Sequence, residues 1–393
     1  MNTNILRTDV QDFINSNLKS DITKLIFKGS PFEDISIQEL ANQIVSKQKS
    51  QKKLPTWFHT KSIYFPPKIS IEQTSSETTA EFKASLVKGK SIADISGGFG
   101  VDTYYFSKSF DEVFHCEINN ELSDIVNHNL KALNCENITS LNENGIDFIA
   151  NYVGKLDCIY IDPSRRDEHK NKVFLLEDCS PNVPENLDLL FSKSNQILIK
   201  TSPLLDISSA INELNHVKKV FVVAVDNDVK ELLFILENGF QGQITIETVN
   251  ITKTNTQKFS FTAGNSIIPE YSSPLNFLYE PNAAILKSGA FNEIATQFNL
   301  KKLHVNTHLY TSEELVDNFP GRGFQVLKTI PYNKKTIVKV LPEKKANITV
   351  RNFPKTVDQI RKETKIKTGG DTYIFCTKTV NDSNILIINT KTK

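Results

Sequence analysis

Ala93-Asp94-Ile95-Ser96-Gly97-Gly98-Phe99-Gly100-Val101-Asp102-Thr103 is the stretch that decides the fold. An apolar run precedes its glycines and a helix-compatible run follows them, so it reads as strand, turn, helix. Such a turn points backbone N–H groups and a helix N-terminus at a ligand. A dinucleotide site would carry another glycine three residues after Gly100, and position 103 is threonine instead. Asp94 stands at the end of the strand. A carboxylate there suits a ligand with a free ammonium group and would repel a pyrophosphate.

Working outward, residues 112–116 form a second short strand that ends on Glu117, 23 residues after Asp94. An acid at about that distance is where nucleotide-binding folds hold a ribose hydroxyl pair. Residues 138–141 give a third strand, with Asn144 in the turn after it, and 156–161 a fourth that runs into Asp162-Pro163-Ser164-Arg165-Arg166. Further strands are expected at 196–199, 220–225 and 232–236. Strands alternating with helical stretches predict a parallel, doubly wound sheet of seven strands. Ligands then bind at the carboxyl ends of the strands, where Asp94, Glu117, Asn144, Asp162 and Lys200 all fall.

The chain has 393 residues, enough for two or three domains. Its N-terminus has no signal-peptide pattern and no apolar run reaches membrane-spanning length, so a cytoplasmic protein is expected. Five cysteines without C-x-x-C spacing point to neither a disulfide framework nor a zinc site. Residues 1–85 read as a helical region, with amphipathic stretches at 9–18 and 37–45. The run Lys47-Gln-Lys-Ser-Gln-Lys-Lys53 then offers a basic face, closed by Leu54-Pro55. Ser75 or Ser76 can cap a helix over 79–86. This hydroxyl-rich segment is either just that cap or a strap over a cofactor's amino-acid end. Residues 86–245 form the sheet domain and 246–325 a connecting α+β region, ferredoxin-like in character, where Tyr279-Glu-Pro-Asn-Ala283 opens a helix on its proline. Residues 326–393 follow as a small α/β unit with strands at 324–330, 347–353, 372–377 and 384–389 and helices at 333–341 and 357–364.

Charge is segregated along the chain. Residues 331–393 hold 14 Lys or Arg against five Asp or Glu, a net +9 inside a chain whose total is +1. A basic terminal domain is the electrostatic footprint of a nucleic-acid partner, and a solvated lysine-rich surface is the plainer alternative.

Taken together, these motifs resemble those of bacterial class I S-adenosyl-L-methionine (SAM)-dependent methyltransferases that carry a THUMP-like domain at the C-terminus. The resemblance rests on Glu72-Gln-Thr-Ser-Ser-Glu-Thr-Thr-Ala80, the glycine turn, Asp162-Pro-Ser-Arg-Arg166 and Lys200-Thr-Ser-Pro-Leu-Leu-Asp206, and on Tyr279-Glu-Pro-Asn-Ala283, Arg351-Asn-Phe-Pro354 and Lys367-Thr-Gly-Gly370. It implies a Rossmann-like class I methyltransferase sheet, SAM as cofactor and, by analogy with true THUMP domains, RNA as substrate. Neither a metal nor a membrane is implied, and the oligomeric state is left open. Candidate cofactor residues are Asp94, Gly97, Gly98, Gly100, Asp102, Thr103, Glu117 and Asn144.

Methyl transfer from a sulfonium is an in-line displacement, so catalysis is chiefly placement of the acceptor. Candidate catalytic residues are Asp162, Pro163, Ser164 and Arg165, with Asp162 accepting a hydrogen bond or a proton from the acceptor. Its plainer alternative is a capping aspartate before a proline. Arg166 and Lys200 are candidate substrate contacts. Enzymes that methylate exocyclic amines place an aromatic residue after a similar Asp-Pro pair to stack on a flipped base, and Ser164 and Arg165 stand there instead. Carbon-5 methylation of pyrimidines needs a cysteine at an exposed strand end, and none is placed there. Methylation of a protein or small molecule, and a non-catalytic RNA-binding role for the fold, are the competing readings.

Overall fold

The computed structural model of the protein describes residues 1–165, 175–265, 267–333, 336–337, 340–341 and 343–392. It divides into two compact units, residues 1–219 with 232–242, and residues 220–231 with 243–393.

The first unit opens with six helices, α1 (Thr8–Ser16), α2 (Ile22–Lys28), α3 (Ile37–Lys53), α4 (Pro55–His59), α5 (Lys68–Gln73) and α6 (Glu77–Leu86). Local chemistry sets their limits. Ser36 and Glu39 form a reciprocal capping box at the start of α3, and Ser76 caps α6 through the Thr79 N–H. Pro55 occupies the first position of α4, where a missing N–H costs nothing, so α3 must stop at Leu54. Ile5, Ile14, Leu40, Ile44 and Trp57 pack into one apolar cluster that also takes in Phe99 of the glycine turn. The basic run is the end of α3, and it is not one solvated face. Lys47 is only 7% exposed, with its ammonium 5.8 Å from the centroids of both Phe58 and Phe65. It lines a recess of about 490 Å³ among these helices, remote in sequence from the strand ends.

The sheet follows as β1 (Ser91–Asp94), α7 (Val101–Phe106), β2 (Glu112–Cys116), α8 (Asn120–Ala132), β3 (Ile138–Leu141), α9 (Gly145–Asn151) and β4 (Cys158–Ile161). After them come α10 (Val183–Lys193), β5 (Gln196–Thr201), α11 (Ile207–Glu213), β6 (Val217–Val225) and β7 (Asp228–Glu237). The strand order β3-β2-β1-β4-β5-β7 puts β1 near the centre, where Ile92 and Ala93 are wholly buried. Strands β1 to β5 pair in parallel, as expected for strands covered on both faces. Strand β7 departs from the expected parallel sheet by running antiparallel to β5. The reason is local. Only Asp226 and Asn227, both left-handed, separate β6 from β7, and two residues make a hairpin but no crossover helix.

In the second unit β8 (Thr245–Ile251) and β9 (Thr256–Thr262) form an antiparallel pair. A seven-stranded sheet is built from β10 (Phe277–Pro281), β11 (Lys301–His304), β12 (Thr307–Ser312), β13 (Gly321–Pro331), β14 (Asn347–Val350), β15 (Thr372–Lys378) and β16 (Asn384–Lys391). Its order is β11-β12-β10-β13-β16-β15-β14. Helices α12 (Ala283–Ser288), α13 (Glu293–Gln297) and α14 (Val357–Thr364) complete it. The expected proline-opened helix starts later than anticipated. Pro281 ends β10, and Asn282 caps α12 by accepting the Ile285 N–H at 3.1 Å. Strand β14 stops at Val350 because Asn352 turns left-handed at φ +47°. The helix expected at 333–341 lies partly outside the described residues.

Candidate active site

The glycine turn is held from below. Asp94 is 1% exposed at the end of β1; its Oδ1 accepts the Ser96 N–H at 3.1 Å and the Ser96 hydroxyl at 3.2 Å, and its Oδ2 accepts the Thr103 hydroxyl at 2.7 Å. Burial pushes the Asp94 carboxyl up to about 7, opposed by the Thr103 hydrogen bond and reinforced by the nearby Asp102 carboxylate. The Asp162 N–H donates to the Ser96 oxygen at 2.7 Å, so β4 is fastened to the same turn. Gly97 has no room for a side chain, since an added Cβ would lie 2.4 Å from the Cys116 carbonyl oxygen. Gly98 is different. It is left-handed at φ +60°, and an added Cβ would meet nothing closer than 3.9 Å.

A second layer lies behind the turn. Asp102 accepts the Ser75 hydroxyl at 2.8 Å and the Tyr160 hydroxyl at 2.7 Å, and pairs with the ammonium of wholly buried Lys83 at 3.3 Å. Lys83 also donates to Ser75 at 3.1 Å. The 74–79 segment is therefore more than a helix cap, because Ser75 ties it to α7 and, through Tyr160, to β4.

A cavity of about 350 Å³ opens at the carboxyl ends of the strands, where an open α/β sheet takes its ligand. Ser96, Gly98, Glu117, Asn144, Asp162 and Ser164 line it. The Glu117 carboxylate accepts the Gly98 N–H at 2.8 Å through Oε2 and the Asn119 N–H at 2.7 Å through Oε1, which fixes it at the rim. Ile118, the next residue, is 71% exposed against the same cavity. Asn144 spends its side-chain oxygen on the Ile146 N–H, capping α9. Gly145 packs so closely on the turn that an added Cβ would lie 2.1 Å from the Ile95 carbonyl oxygen.

Asp162 sits in the cavity wall with Lys200 beside it, the ammonium donating to Oδ2 at 2.5 Å. Burial raises the Asp162 pKa and Lys200 opposes the rise, so the carboxylate has higher basicity than an exposed one but a neighbouring positive charge. Pro163 is buried, and the two-residue stretch Ser164–Arg165 pairs with Cys179–Ser180, which brings Ser180 and Pro181 to the cavity wall.

The structure thus brings Gly98, Glu117, Asn144, Asp162 and Ser164 to one cavity. Asp94, Gly97, Gly100, Asp102 and Thr103 lie behind it as the frame of the turn, and Lys200 meets Asp162. Arg166 and the side chain of Arg165 lie outside the described residues. Sequence reasoning passed over Ser96, Ile118, Gly145 and the Ser75–Lys83 pair. An apolar residue directly after a strand-ending acid was the available signal for Ile118. Among the described residues no group of His, Cys, Asp or Glu could hold a metal, and no helix is long and apolar enough to cross a membrane.

Comparison with known proteins bears on the whole chain. Residues 277–320 match a ferredoxin-like domain family and residues 321–391 a THUMP domain-like family. A provisionally assigned methyltransferase from Porphyromonas gingivalis W83, known from a crystal structure, is 27% identical over 99% of this chain and 98% of its own, with a TM-score of 0.87. An rRNA methylase from Streptococcus thermophilus is 14% identical over 41% of this chain and 94% of its own at a TM-score of 0.30. Trm5b from Pyrococcus abyssi is 16% identical over 44% and 50%, at 0.29. Likenesses at the level of these last two add nothing to the assignment. No curated protein matches the chain. The chain thus has a methyltransferase fold, shared over its full length with the P. gingivalis protein, and a THUMP-like C-terminal segment.

Proposed function

We propose that this protein is a SAM-dependent methyltransferase acting on RNA, on a base of tRNA or rRNA, in the cytoplasm. The observation that carries the reading is the convergence of Gly98, Glu117 and Asp162 on one cavity at the strand ends. The cavity suits the cofactor on three counts. Glu117 offers a fixed carboxylate to a vicinal diol, Ile118 offers an exposed aliphatic surface to a flat ring, and Gly98 leaves the backbone open to close approach. Asp94, Asp102 and Thr103 contribute by holding the turn in shape, since their polar atoms are spent within the protein. Bound there, SAM supplies an electrophilic methyl group on a sulfonium.

The protein's own work is then placement. Asp162 holds the N–H or O–H of the acceptor and takes up its proton as methyl transfer proceeds, and Lys200 fixes the rotamer of that carboxylate. The raised basicity of Asp162 fits this role. The basic 326–393 segment serves as the substrate-binding part, with the +9 charge of 331–393 drawing in the phosphate backbone. Incubation of the full-length protein with methyl-labelled SAM and unmodified total RNA tests the reading. Label is expected in the tRNA or rRNA fraction. Label appearing only in protein or small-molecule fractions would replace it with the competing one.

A further inference from the structure

Two motifs of the second unit, Tyr279-Glu-Pro-Asn and Arg351-Asn-Phe-Pro, take no part in the site above, yet they meet. Glu280, on β10, has a side chain only 5% exposed. Directly across the antiparallel pair stands Arg322 of β13, which donates to Glu280 Oε2 through Nε at 2.9 Å and also through Nη2. Arg351, just past β14, donates to the other oxygen, Oε1, at 2.6 Å. One buried carboxylate therefore brings two guanidinium groups together, and their side chains remain 43% and 40% exposed.

The positions are fixed rather than fluid. Arg351 also donates to the Val350 carbonyl oxygen at 2.9 Å, and its backbone N–H bonds the Cys376 carbonyl at 3.0 Å. The left-handed Asn352 that follows pins the turn by hydrogen bonds to His304 at 3.1 Å and Thr307 at 3.3 Å. Arg322 lies over the Phe324 ring at 5.5 Å. Among the described residues Arg322 Nη1 and Arg351 Nε have no hydrogen-bond partner. A buried carboxylate needs one counter-charge, and a second leaves a net positive pair at the surface. The surrounding field agrees. His308 is held down at about 4 by burial first, and then by the positive charges of Lys302 and Arg351.

We propose that Arg322 and Arg351, preorganised by Glu280, form a receptor for a backbone phosphate of bound RNA. Planar guanidinium forks match the phosphate oxygens in a way that a lysine cannot. The assignment rests on the RNA reading above and adds to it a particular contact on the sheet shared by the ferredoxin-like and THUMP-like segments.

Anisotropy titrations of fluorescein-labelled bulk tRNA with the full-length protein, at several KCl concentrations, test it. Arg322→Gln and Arg351→Gln are each expected to reduce the slope of log K against log salt by about one. Glu280→Gln keeps both guanidinium groups and removes the internal anion, so its slope should not fall. If the triad is only structural, all three variants will lose thermal stability while the slope stays as in the wild type, and the proposal is overturned. Should the Gln variants fail to fold, Arg322→Lys and Arg351→Lys decide. They keep the charge and lose the fork, so weaker binding at unchanged slope is expected, and unchanged affinity refutes the receptor. A wild-type protein that does not bind tRNA would overturn the RNA reading itself, and the phosphate assignment with it. Wild-type binding with unaltered variants would sink only the latter.

Discussion

Replacing Asp94 with asparagine should change how the stability of the first unit depends on pH, and the structure fixes both sign and size. The folded carboxyl is pushed from 3.8 to about 7, chiefly by burial. A rise of that extent corresponds to about 4 kcal/mol between the two protonation states. Because the folded value is the higher one, the protonated form is what folding favours. The contribution is fully present below about pH 4 and is lost as pH rises through about 7. Asparagine cannot ionise and escapes the loss. The stability difference, Asp94→Asn minus wild type, should therefore climb between pH 4 and 8 by up to about 4 kcal/mol, then level off. Any fixed cost of refitting the Thr103 and Ser96 hydrogen bonds shifts the curve without bending it. The assay is urea unfolding followed by tryptophan fluorescence. Trp57 is the only tryptophan, is buried, and lies 6.3 Å from Phe99 of the glycine turn. Parallel curves for the two proteins across this range would show that Asp94 is ionised in the folded state, and would refute the burial argument.

Three further outcomes follow from the same geometry. Glu117→Ala removes a carboxylate hydrogen-bonding partner and should weaken SAM binding by about 1.5–3 kcal/mol, roughly 10- to 150-fold by calorimetry; unchanged affinity would remove Glu117 from the cofactor site. Asp162→Asn should keep cofactor affinity but lower methyl transfer to RNA by about 100-fold or more in single-turnover assays, and full activity would end its assigned role. Lys83→Met strands Asp102 in the interior and should cost about 3–5 kcal/mol in urea unfolding, most of it recovered by adding Asp102→Asn. A double variant no better than the single one would mean that the pair is not what Lys83 contributes.

Much of this was legible in the residues because it is written locally. The glycine turn and strand-ending acids announce the sheet through short-range chemistry, and Pro55 and Ser76 mark helix limits by rules that need only neighbours. The antiparallel β7 was not legible: the strands expected at 220–225 and 232–236 leave six residues between them, the hairpin leaves only Asp226 and Asn227, and alternation of apolar runs says nothing about direction. What could not be read depends on distant partners. Asp94 and Asp102 look like ligand contacts in a motif, and only Thr103, Ser75, Tyr160 and Lys83 folding around them show where their oxygens go. Lys47 reads as one lysine in a basic run until Phe58 and Phe65 enclose it. Glu280 and Arg351 lie in two stretches that stand out in the sequence, but they are 71 positions apart, and no window shows that they meet or that Arg322 joins them.

Strand β10 lies between β12 and β13 and hydrogen-bonds to both, so the boundary between the ferredoxin-like and THUMP-like segments, at Gly321, runs through the middle of one sheet. Modularity in this architecture therefore has a larger grain than its family segments. A THUMP-like segment transplanted alone would bare the five residues Gly321–Gln325 of β13 that β10 now covers, and the donor left behind would bare β10. Unpaired edges of that length invite association with other chains. The portable unit, for a recombining genome as for a protein engineer, is no smaller than residues 243–391 moved together, because Phe259 of β9 packs in one cluster with Tyr279 and Ile285.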